Sequence, residues 1–296
     1  MEGDAAAPVL VVEDDDRSRF ALAELLAPLG EEVLLARDGG EAIALSREHE
    51  PAVVLLDVAL PGIDGFETAR LLKLDAGTRH LPIIFLTAHA DGALIARGYE
   101  AGAVDYLLKP FEPEILRAKV SVFVDLFKLR RRAEALTRRA LHDPLTGVPN
   151  RTLFLDRLQT AVARLERGSG SVAVLFVDLN EFKQVNDAIG HHAGDEVLVE
   201  LARRLQSVVR AADTVARFGG DEFLVQCEDV DDAEAAELVR RIDEAARFTV
   251  EVDGRTASVS ATIGLALSDD PAAVPEELIR AADLSMLAVK RSPAAL

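Results

Sequence analysis

The N-terminal part of the chain alternates short apolar runs with amphipathic stretches, and no other feature constrains its fold as strongly. The apolar runs begin at Val9, Val53, Ile83 and Tyr106. Their carboxyl ends carry polar residues, namely Glu13, Asp14, Asp57, Thr87 and Lys109. Strands that alternate with helices predict an α/β fold with a doubly wound parallel sheet. Because such sheets bind ligands at the carboxyl ends of their strands, we expect these polar side chains to form one site.

Three of these side chains, Glu13, Asp14 and Asp57, are carboxylates that the predicted fold brings together. Two such charges ~4 Å apart repel each other by about 4 kcal/mol at an effective dielectric of 20. A Mg²⁺ ion relieves this repulsion and polarises an incoming phosphoryl group. The sequence therefore predicts a magnesium site, and the alternative is an ordinary flavodoxin-like domain with acidic residues at its rim.

A second acidic site is predicted around two adjacent glycines, Gly219 and Gly220. They lie between apolar runs and predict a tight β-hairpin, with Asp221 and Glu222 directly after the turn. An ordinary hairpin with solvated acids would have the same pattern. About forty residues upstream, however, another apolar strand ends on Asp178. A carboxylate at a strand end beside an acidic hairpin can hold two divalent ions for phosphoryl or nucleotidyl transfer.

Residues 112–141 predict one long connecting helix, because they lack glycine and their single proline, Pro113, falls in the first turn. A heptad seam runs along it through Ile115, Lys119, Val122, Leu126, Leu129, Ala133, Leu136 and Ala140. A second apolar stripe, formed by Val120, Phe123 and Phe127, is expected to pack on the sheet. The basic side chains Lys128, Arg130, Arg131, Arg132, Arg138 and Arg139 favour a solvated face over a binding patch. The seam is short and Lys119 weakens it, which suits a helix pair with two packings of similar energy.

Composition limits the possible functions. The formal net charge of −18 over 296 residues argues against binding to nucleic-acid phosphates. The single cysteine, Cys227, is expected to be a buried thiol in a reducing compartment. No apolar run approaches the ~20 residues of a membrane span, and residues 1–7 lack a signal-peptide pattern. We therefore expect a cytoplasmic protein.

The motifs of the C-terminal half together resemble the GGDEF family of diguanylate cyclases over roughly residues 141 to 291. The motifs that carry this resemblance are the Phe218–Phe223 hairpin, Asp178, Phe182-Lys183, Asn186 four residues before Gly190-His191, Gly194-Asp195 and the entrance motif Asp143–Arg151. The N-terminal half resembles a response-regulator receiver domain, with all five key positions present. The resemblances imply a flavodoxin-like receiver (residues 7–125), a connecting helix (112–141) and an α+β, palm-like nucleotidyl cyclase domain (142–296).

The receiver resemblance implies a role for each polar residue of the first site. Asp57 would be the phosphoacceptor. One Mg²⁺ ion would be held by Glu13, Asp14, Asp57 and the backbone carbonyl of Ala59. Lys109 and the Thr87 hydroxyl would contact the phosphoryl group, and Tyr106 would turn inward as Thr87 moves. A histidine kinase or phosphotransfer protein is the implied partner.

The cyclase resemblance implies that two Mg²⁺ ions are held by Asp178, Asp221 and the carbonyl of Leu179. Glu222 would either ligate metal or help to deprotonate the attacking hydroxyl, and both roles stay open. Lys183 and Lys290 would neutralise the β- and γ-phosphates of GTP. The guanine edge would be bound by Asn186 and Asp195, and the rest of the predicted substrate-binding set is Phe182, Gly219 and Gly220.

The implied reaction joins two GTP molecules into cyclic di-GMP and releases two pyrophosphates. Each domain binds one GTP, so two domains must face each other as a homodimer, for which the heptad seam offers an interface. Arg210 and Asp213 match the RxxD product-inhibition motif of the family, five residues before the Phe218–Phe223 hairpin, and Arg241 is expected to assist.

Two departures from the family pattern stand in the final helix and beyond it. Leu287 replaces the usual tyrosine, and the usual Gly-Arg-Asn segment after Arg291 is missing. We expect weaker GTP binding but retained activity. Two alternative functions remain: a catalytically weak sensor that binds cyclic di-GMP through Arg210 and Asp213, and a phosphorylation-dependent adaptor.

Overall fold

The computed structural model describes residues 6–88, 92–165, 170–252 and 255–291. The chain forms two compact units, Met1–Ala135 and Leu136–Leu296. Within the described residues, no helix combines the length and the apolarity that crossing a lipid bilayer requires.

The first unit contains a five-stranded, fully parallel sheet in the order β2-β1-β3-β4-β5. The strands are β1 (Val9–Val12), β2 (Val33–Ala36), β3 (Val53–Asp57), β4 (Ile83–Thr87) and β5 (Asp105–Leu108). The helices are α1 (Asp16–Leu26), α2 (Gly39–His49), α3 (Gly65–Leu74), α4 (Gly92–Glu100) and α5 (Pro113–Leu141). The predicted doubly wound, flavodoxin-like fold is confirmed. Strand β2 was not predicted, because it lies at the sheet edge and is only partly buried.

Helices cover both faces of this sheet, which explains why its strands are mostly apolar, with polar residues only at some strand ends. Val9, Val11 and Leu55 pack with residues of α1 and α5 on one face. Leu10 and Val54 pack with residues of α2 and α3 on the other face. The two clusters keep the strands fixed, so that their carboxyl ends form a rigid edge.

Helix α5 is a single helix, and its apolar stripe packs on the sheet as predicted. Val120 and Phe127 are buried and Phe123 is partly buried, while Leu116 and Val124 extend the stripe beyond the predicted residues. The predicted seam lies on the exposed side, where Ile115, Val122, Leu126, Leu129 and Leu136 are each about half exposed or more.

The basic residues of α5 correct a prediction, because several of them are not simply solvated. Lys128 forms an ion pair with Glu31 at 2.5 Å. Arg130 and Arg131 each contact a carboxylate oxygen of Glu50 at 2.6 Å. Lys119, the polar residue in the seam, pairs with Asp105 at the start of β5. These charges therefore fasten the helix to the first unit.

The second unit contains a four-stranded antiparallel sheet in the order β11-β6-β8-β7 and a separate hairpin of β9 and β10. The strands are β6 (Val172–Leu179), β7 (Thr214–Gly219), β8 (Glu222–Glu228), β9 (Phe248–Val252), β10 (Arg255–Val259) and β11 (Ala261–Ser268). The helices are α6 (Arg151–Leu165), α7 (Phe182–Ile189), α8 (His191–Val208), α9 (Asp232–Ala245) and α10 (Pro275–Arg291). This architecture confirms the predicted α+β, palm-like domain.

Both faces of the antiparallel sheet are also buried. Leu175 and Val177 of β6 pack with residues of α8 and α9, whereas Val174 and Phe176 pack with residues of α6 and α10. The alternation of side chains along β6 therefore serves two cores. Strand β6 is fixed from both sides up to its end at Leu179.

Gly264 of β11 allows α10 to approach the sheet closely. A Cβ atom at this position would lie 2.1 Å from the carbonyl oxygen of Ala282 and 2.2 Å from the backbone nitrogen of Met286. Backbone atoms cannot move aside as a flexible side chain can. The glycine therefore sets the distance between β11 and α10.

We predict that Gly264→Ala destabilises the second unit by about 1–3 kcal/mol, because the added methyl group overpacks this contact. Thermal unfolding of the variant measures the effect. Gly92→Ala is the control, since a Cβ atom there has no neighbour within 4 Å among the described residues. Equal unfolding midpoints for the two variants would contradict the prediction.

Candidate functional site

The first candidate site lies at the carboxyl edge of the parallel sheet. Glu13 and Asp14 directly follow β1, and Asp57 is the last residue of the neighbouring strand β3. One carboxylate oxygen from each of the three residues lies within 4.8 Å of the others. Glu13 and Asp57 are buried, whereas Asp14 is exposed. The structure thus brings together the three predicted carboxylates in a group that fits a divalent cation.

Lys109, which follows β5, partly neutralises this cluster. Its Nζ donates to Glu13 Oε2 at 2.6 Å and to Asp57 Oδ2 at 2.7 Å. Burial lowers the pKa of Lys109, but the two carboxylates outweigh burial and the pKa is raised. Burial and the nearby Asp57 charge raise the pKa of Glu13, although Lys109 opposes them. The lysine is therefore held in its charged form beside the predicted phosphoacceptor.

The remaining receiver residues surround Asp57. The backbone N–H of Ala59 donates to Asp57 Oδ1 at 3.2 Å. Thr87 is buried at the end of β4. Thr87 and the partly buried Tyr106 line one mostly apolar cavity, and the Tyr106 ring packs edge-on against Tyr99 with a centroid separation of 6.5 Å. The predicted inward rotation of Tyr106 would take its ring into this cavity.

The second candidate site lies where β6 meets the hairpin of β7 and β8. Asp178 is paired directly with Glu222 across the sheet. The structure corrects the predicted turn: Gly219 belongs to β7 and opposes Glu222, so the turn consists of Gly220 and Asp221. Gly220 has a φ of 53°, which favours glycine. Asp221 therefore lies in the turn itself, beside the strand end that carries Asp178.

Helix α10 supplies a cation and a further carboxylate to this site. Lys290 Nζ donates to Asp178 Oδ1 at 2.6 Å. Burial raises the pKa of Glu222, the charges of Asp178, Asp221 and Asp283 raise it further, and Lys290 opposes this effect. Asp283 was not predicted as a site residue. Its spacing of seven residues from Lys290 places both on one face of α10, and this signal could have identified it.

A network of side-chain hydrogen bonds fixes the chain just after Asp178. Asn180 Nδ2 donates to Ser260 Oγ at 3.0 Å, and Thr262 Oγ1 donates to Asn180 Oδ1 at 2.7 Å. The backbone N–H of Asn180 donates to the carbonyl oxygen of Ser260 at 2.9 Å. This network holds the segment that carries the predicted Leu179 carbonyl ligand. Sequence reasoning missed it because its members are about 80 residues apart.

The predicted guanine-binding residues lie where α7 meets α8. Gly194 is buried against Asn186, since a Cβ atom at Gly194 would lie 1.9 Å from Asn186 Oδ1 and 3.2 Å from Phe182 Cζ. Asp195 is the next residue and is exposed. Lys183 is also exposed, on α7. The glycine thus lets the Asn186 amide lie directly against α8, one residue before Asp195.

The three predicted product-binding residues lie around the buried thiol of Cys227. The Asp213 carboxylate accepts a hydrogen bond of 2.7 Å from the backbone N–H of Arg210. Burial and Asp213 raise the pKa of the thiol, whereas Arg210 and Arg241 act in the opposite direction. The charges of Arg210, Asp213 and Arg241 thus all act on one buried thiol.

The structure describes one of the two departures from the family pattern, Leu287, but not the segment after Arg291. Leu287 is partly buried and packs against the core cluster below α10. The side chain therefore adds to packing in place of the usual tyrosine. The missing segment after Arg291 would fall at residues 292–296, which lie outside the described residues.

We predict that Glu222→Gln raises the thermal unfolding midpoint by a few degrees at neutral pH in a metal-chelating buffer. The folded-state pKa of Glu222 is raised above its ordinary 4.5. Below pH 4.5 the carboxyl is therefore protonated, and this protonation stabilises the fold. This contribution is lost as pH rises through the folded-state pKa. The advantage of the glutamine variant should therefore disappear near pH 4. Glu277→Gln, an exposed change on α10, is the control, and a gain that persisted at pH 4 would refute the prediction.

Comparisons with known proteins identify a family for each part of the chain. A family model of the diguanylate cyclase GGDEF domain matches residues 140–295, and one of the response regulator receiver domain matches residues 9–121. The response regulator PleD of Caulobacter vibrioides is 31% identical over 292 residues, which cover 96% of this chain and 64% of PleD. The diguanylate cyclase TpbB of Pseudomonas aeruginosa is 40% identical over 159 residues, which cover 53% of this chain and 37% of TpbB. The chain thus spans less than two thirds of these relatives.

A solved structure is also similar. The coiled coil and GGDEF domain of DgcB from Caulobacter crescentus, in complex with c-di-GMP, has a TM-score of 0.55 at 25% identity, and the match covers 60% of this chain and 94% of that one. The fold, the acidic hairpin and the family model over residues 140–295 lead to one conclusion. The chain belongs to the GGDEF family of diguanylate cyclases and carries a response regulator receiver domain ahead of its GGDEF domain.

Proposed function

We propose that this protein is a diguanylate cyclase that condenses two GTP molecules into cyclic di-GMP under the control of its receiver domain. The observation that carries the proposal is the placement of Asp178 and Glu222 in direct register, with Asp221 in the adjoining turn and Lys290 on Asp178. We also propose the division into a receiver (residues 7–125), a connecting helix (112–141) and a cyclase domain (142–296). The two compact units and the two family matches support this division.

Two Mg²⁺ ions would be held by Asp178, Asp221 and the Leu179 carbonyl, which offer hard oxygen donors at the end of β6 and in the adjoining turn. When bound, such ions stabilise the attacking and leaving oxygens of an in-line displacement. Glu222 suits the role of proton acceptor for the 3′-hydroxyl. Its pKa is raised toward neutral pH, and a general base works best when its pKa is near the working pH. Lys183 and Lys290 would bind the phosphates. Lys290 would then release the Asp178 carboxylate and contact a phosphate oxygen instead.

Guanine recognition would come from the contact between α7 and α8. The Asn186 amide and the Asp195 carboxylate offer an acceptor and donor set that matches the guanine edge. Phe182 packs against Gly194 beside them, and Gly219 and Gly220 leave the triphosphate room to approach the backbone. Each domain would hold one GTP, so the reaction requires two domains that face each other.

The exposed seam of α5 supports homodimerisation. Its apolar residues are unusually large for a solvated helix face, and Lys119 is neutralised by Asp105, so that it opposes helix pairing less than the sequence suggested. DgcB, the similar structure, contains a coiled coil. We propose that α5 pairs with α5 of a second copy.

Control by phosphorylation would act through Asp57. The cluster of Glu13, Asp14 and Asp57 fits one Mg²⁺ ion, to which the Ala59 carbonyl would add a ligand. Lys109 would follow the new phosphoryl group, since it already contacts the Asp57 carboxylate. A histidine kinase or phosphotransfer protein would supply the phosphoryl group, and Thr87 and Tyr106 would respond to it.

Product inhibition would act through Arg210, Asp213 and Arg241. The planar guanidinium groups can bind a guanine edge or a phosphate, and the carboxylate can accept from guanine. The DgcB structure was solved with c-di-GMP bound. The alternative functions, a catalytically weak sensor or an adaptor, find less support because Asp178, Asp221 and Glu222 are all present and adjacent.

We predict that Asp221→Asn lowers cyclic di-GMP formation by more than about 100-fold, because it removes a metal carboxylate.

We also predict that Asp57→Asn keeps the basal turnover of the parent protein but loses the change in turnover that beryllofluoride produces. Nucleotide chromatography after incubation with GTP and Mg²⁺ measures both. A parent protein that forms no product with beryllofluoride would exclude the proposed reaction. An output in cells that needs Asp57 but not Asp221 would favour the adaptor.

We predict that Arg210→Ala raises the cyclic di-GMP concentration needed for half-inhibition by about 10- to 100-fold, as expected for the loss of a charge-assisted hydrogen bond. Initial rates at increasing product concentration measure the shift. Arg240→Ala is the matched control on α9, because Arg240 is bonded to Glu237 and Glu244. Equal inhibition of both variants would disprove this role for Arg210.

A further inference from the structure

Arg217, two residues before Gly219 in β7, holds the carbonyl of the catalytic turn. Its Nε and Nη2 atoms donate to the Gly220 oxygen at 2.9 and 2.7 Å. Its Nη1 atom reaches both carboxylate oxygens of Asp143, at 3.1 and 3.2 Å. The guanidinium is mostly buried, with 14% of its side chain exposed. One side chain thus joins the turn to the entrance motif of the domain.

Asp143 is itself rigidly held. Its carboxylate accepts from the backbone N–H of Thr146 at 2.9 Å and from the Thr146 hydroxyl at 2.7 Å. Its backbone N–H donates to Val148. Burial would raise the pKa of Asp143, but Thr146 and Arg217 outweigh burial and lower it. The carboxylate is therefore a fixed, charged partner for Arg217.

The entrance motif is also bonded to the last turn of α5. Asn150 Nδ2 donates to the carbonyl oxygen of Ala140 at 2.8 Å, and the Asn150 backbone N–H donates to that of Leu141 at 2.9 Å. The backbone N–H of Arg217 donates to Pro149, the preceding residue. A continuous set of hydrogen bonds therefore runs from the end of α5 to the catalytic turn.

Strand pairing closes the base of the turn, since Gly219 pairs with Glu222 and Glu222 with Asp178. Between these ends, a Cβ atom built at Gly219 or Gly220 would have no neighbour within 4 Å among the described residues. The Asp221 carbonyl accepts a long hydrogen bond, 3.4 Å, from the backbone N–H of Leu179. Since glycine is conformationally permissive, the bonds from Arg217 to the Gly220 carbonyl restrain the peptide that joins Gly220 to Asp221.

We infer that Arg217 is a positioning residue that sets the place of Asp221 in the cyclase reaction and links it, through Asp143 and Asn150, to the end of α5. The inference rests on the proposed function. Arg217 donates all its bonds to protein atoms and acts through the turn. A misplacement of about 1 Å at a reacting centre can cost on the order of 100-fold in rate, so the restraint bears directly on turnover.

Arg217→Lys tests the inference, because lysine keeps the charge but has no planar fork to hold Gly220 and Asp143 together. We expect kcat to fall at least about tenfold and the half-saturating Mg²⁺ concentration to rise, while the GTP KM changes less than about threefold. The guanine and phosphate contacts are intact in this variant. Arg203→Lys is the control, since Arg203 forms the same fork with Glu200 on the exposed face of α8.

Asp143→Asn and the double variant test whether Arg217 acts through Asp143. If the two residues form one unit, the double variant loses no more kcat than Arg217→Lys alone. Additive losses would overturn the link to the entrance motif. A kcat for Arg217→Lys equal to that of the control, or a loss that merely follows the folded fraction in thermal unfolding, would overturn the positioning role.

Hydrogen exchange separates this inference from the proposed function. The backbone amides of residues 219–222 should exchange faster in Arg217→Lys than in Arg203→Lys, whether or not the protein has cyclase activity. Unchanged exchange would overturn the inference even in an active enzyme. If the parent protein formed no cyclic di-GMP while the amides of Arg217→Lys exchanged faster, the proposed reaction would be wrong. The inference that Arg217 restrains the turn would still stand.

Discussion

Both sites depend on repulsion between carboxylates that a sheet forces together. In the receiver, Lys109 contacts Glu13 and Asp57, and in the cyclase domain Lys290 contacts Asp178. Lys109 follows β5 and Lys290 lies on α10. Each lysine is therefore far along the chain from the acids that it contacts. In each described site a lysine thus partly neutralises the cluster. Under the proposed function, metal ions would take over the carboxylates and the lysine would contact the incoming phosphate.

The burial of strands on both faces makes these clusters possible. Strands covered by helices cannot shift, so an acid at a strand end stays where repulsion disfavours it. Glu222 shows the result, since burial and three neighbouring carboxylates raise its pKa. Close backbone contacts have the same effect, as at Gly264, which brings α10 with Lys290 and Asp283 onto the sheet. Packing energy in the cores thus maintains an unfavourable charge arrangement that binds cations.

The sequence predicted both folds, and it predicted that Glu13, Asp14 and Asp57 lie together, because periodicity and motif spacing are local signals. It misplaced the hairpin turn by one residue, since a β-bulge between Arg217 and Gly219 lets Gly219 remain in the strand. It treated the basic residues of α5 as solvated, because Glu31 and Glu50 are 80 to 97 positions away from them. The network around Asn180 was missed for the same reason, because its members are about 80 residues apart and meet only through tertiary contacts. Asp283, in contrast, was missed although its spacing from Lys290 is a local signal.

Helix α5 differs from an independent linker in the way its charges are used. Lys128, Arg130 and Arg131 bind it to carboxylates of the first unit, and Ala140 and Leu141 end it in hydrogen bonds to Asn150. Its apolar seam is left exposed between and beside these contacts. These ion pairs add to a stronger attachment, because Leu116, Val120 and Phe127 of α5 are buried in the core of the first unit. In the second unit, the hydrogen bonds of Asn150, Asp143 and Arg217 join the end of α5 to the turn at Gly220, which the proposed function places beside the metal ions.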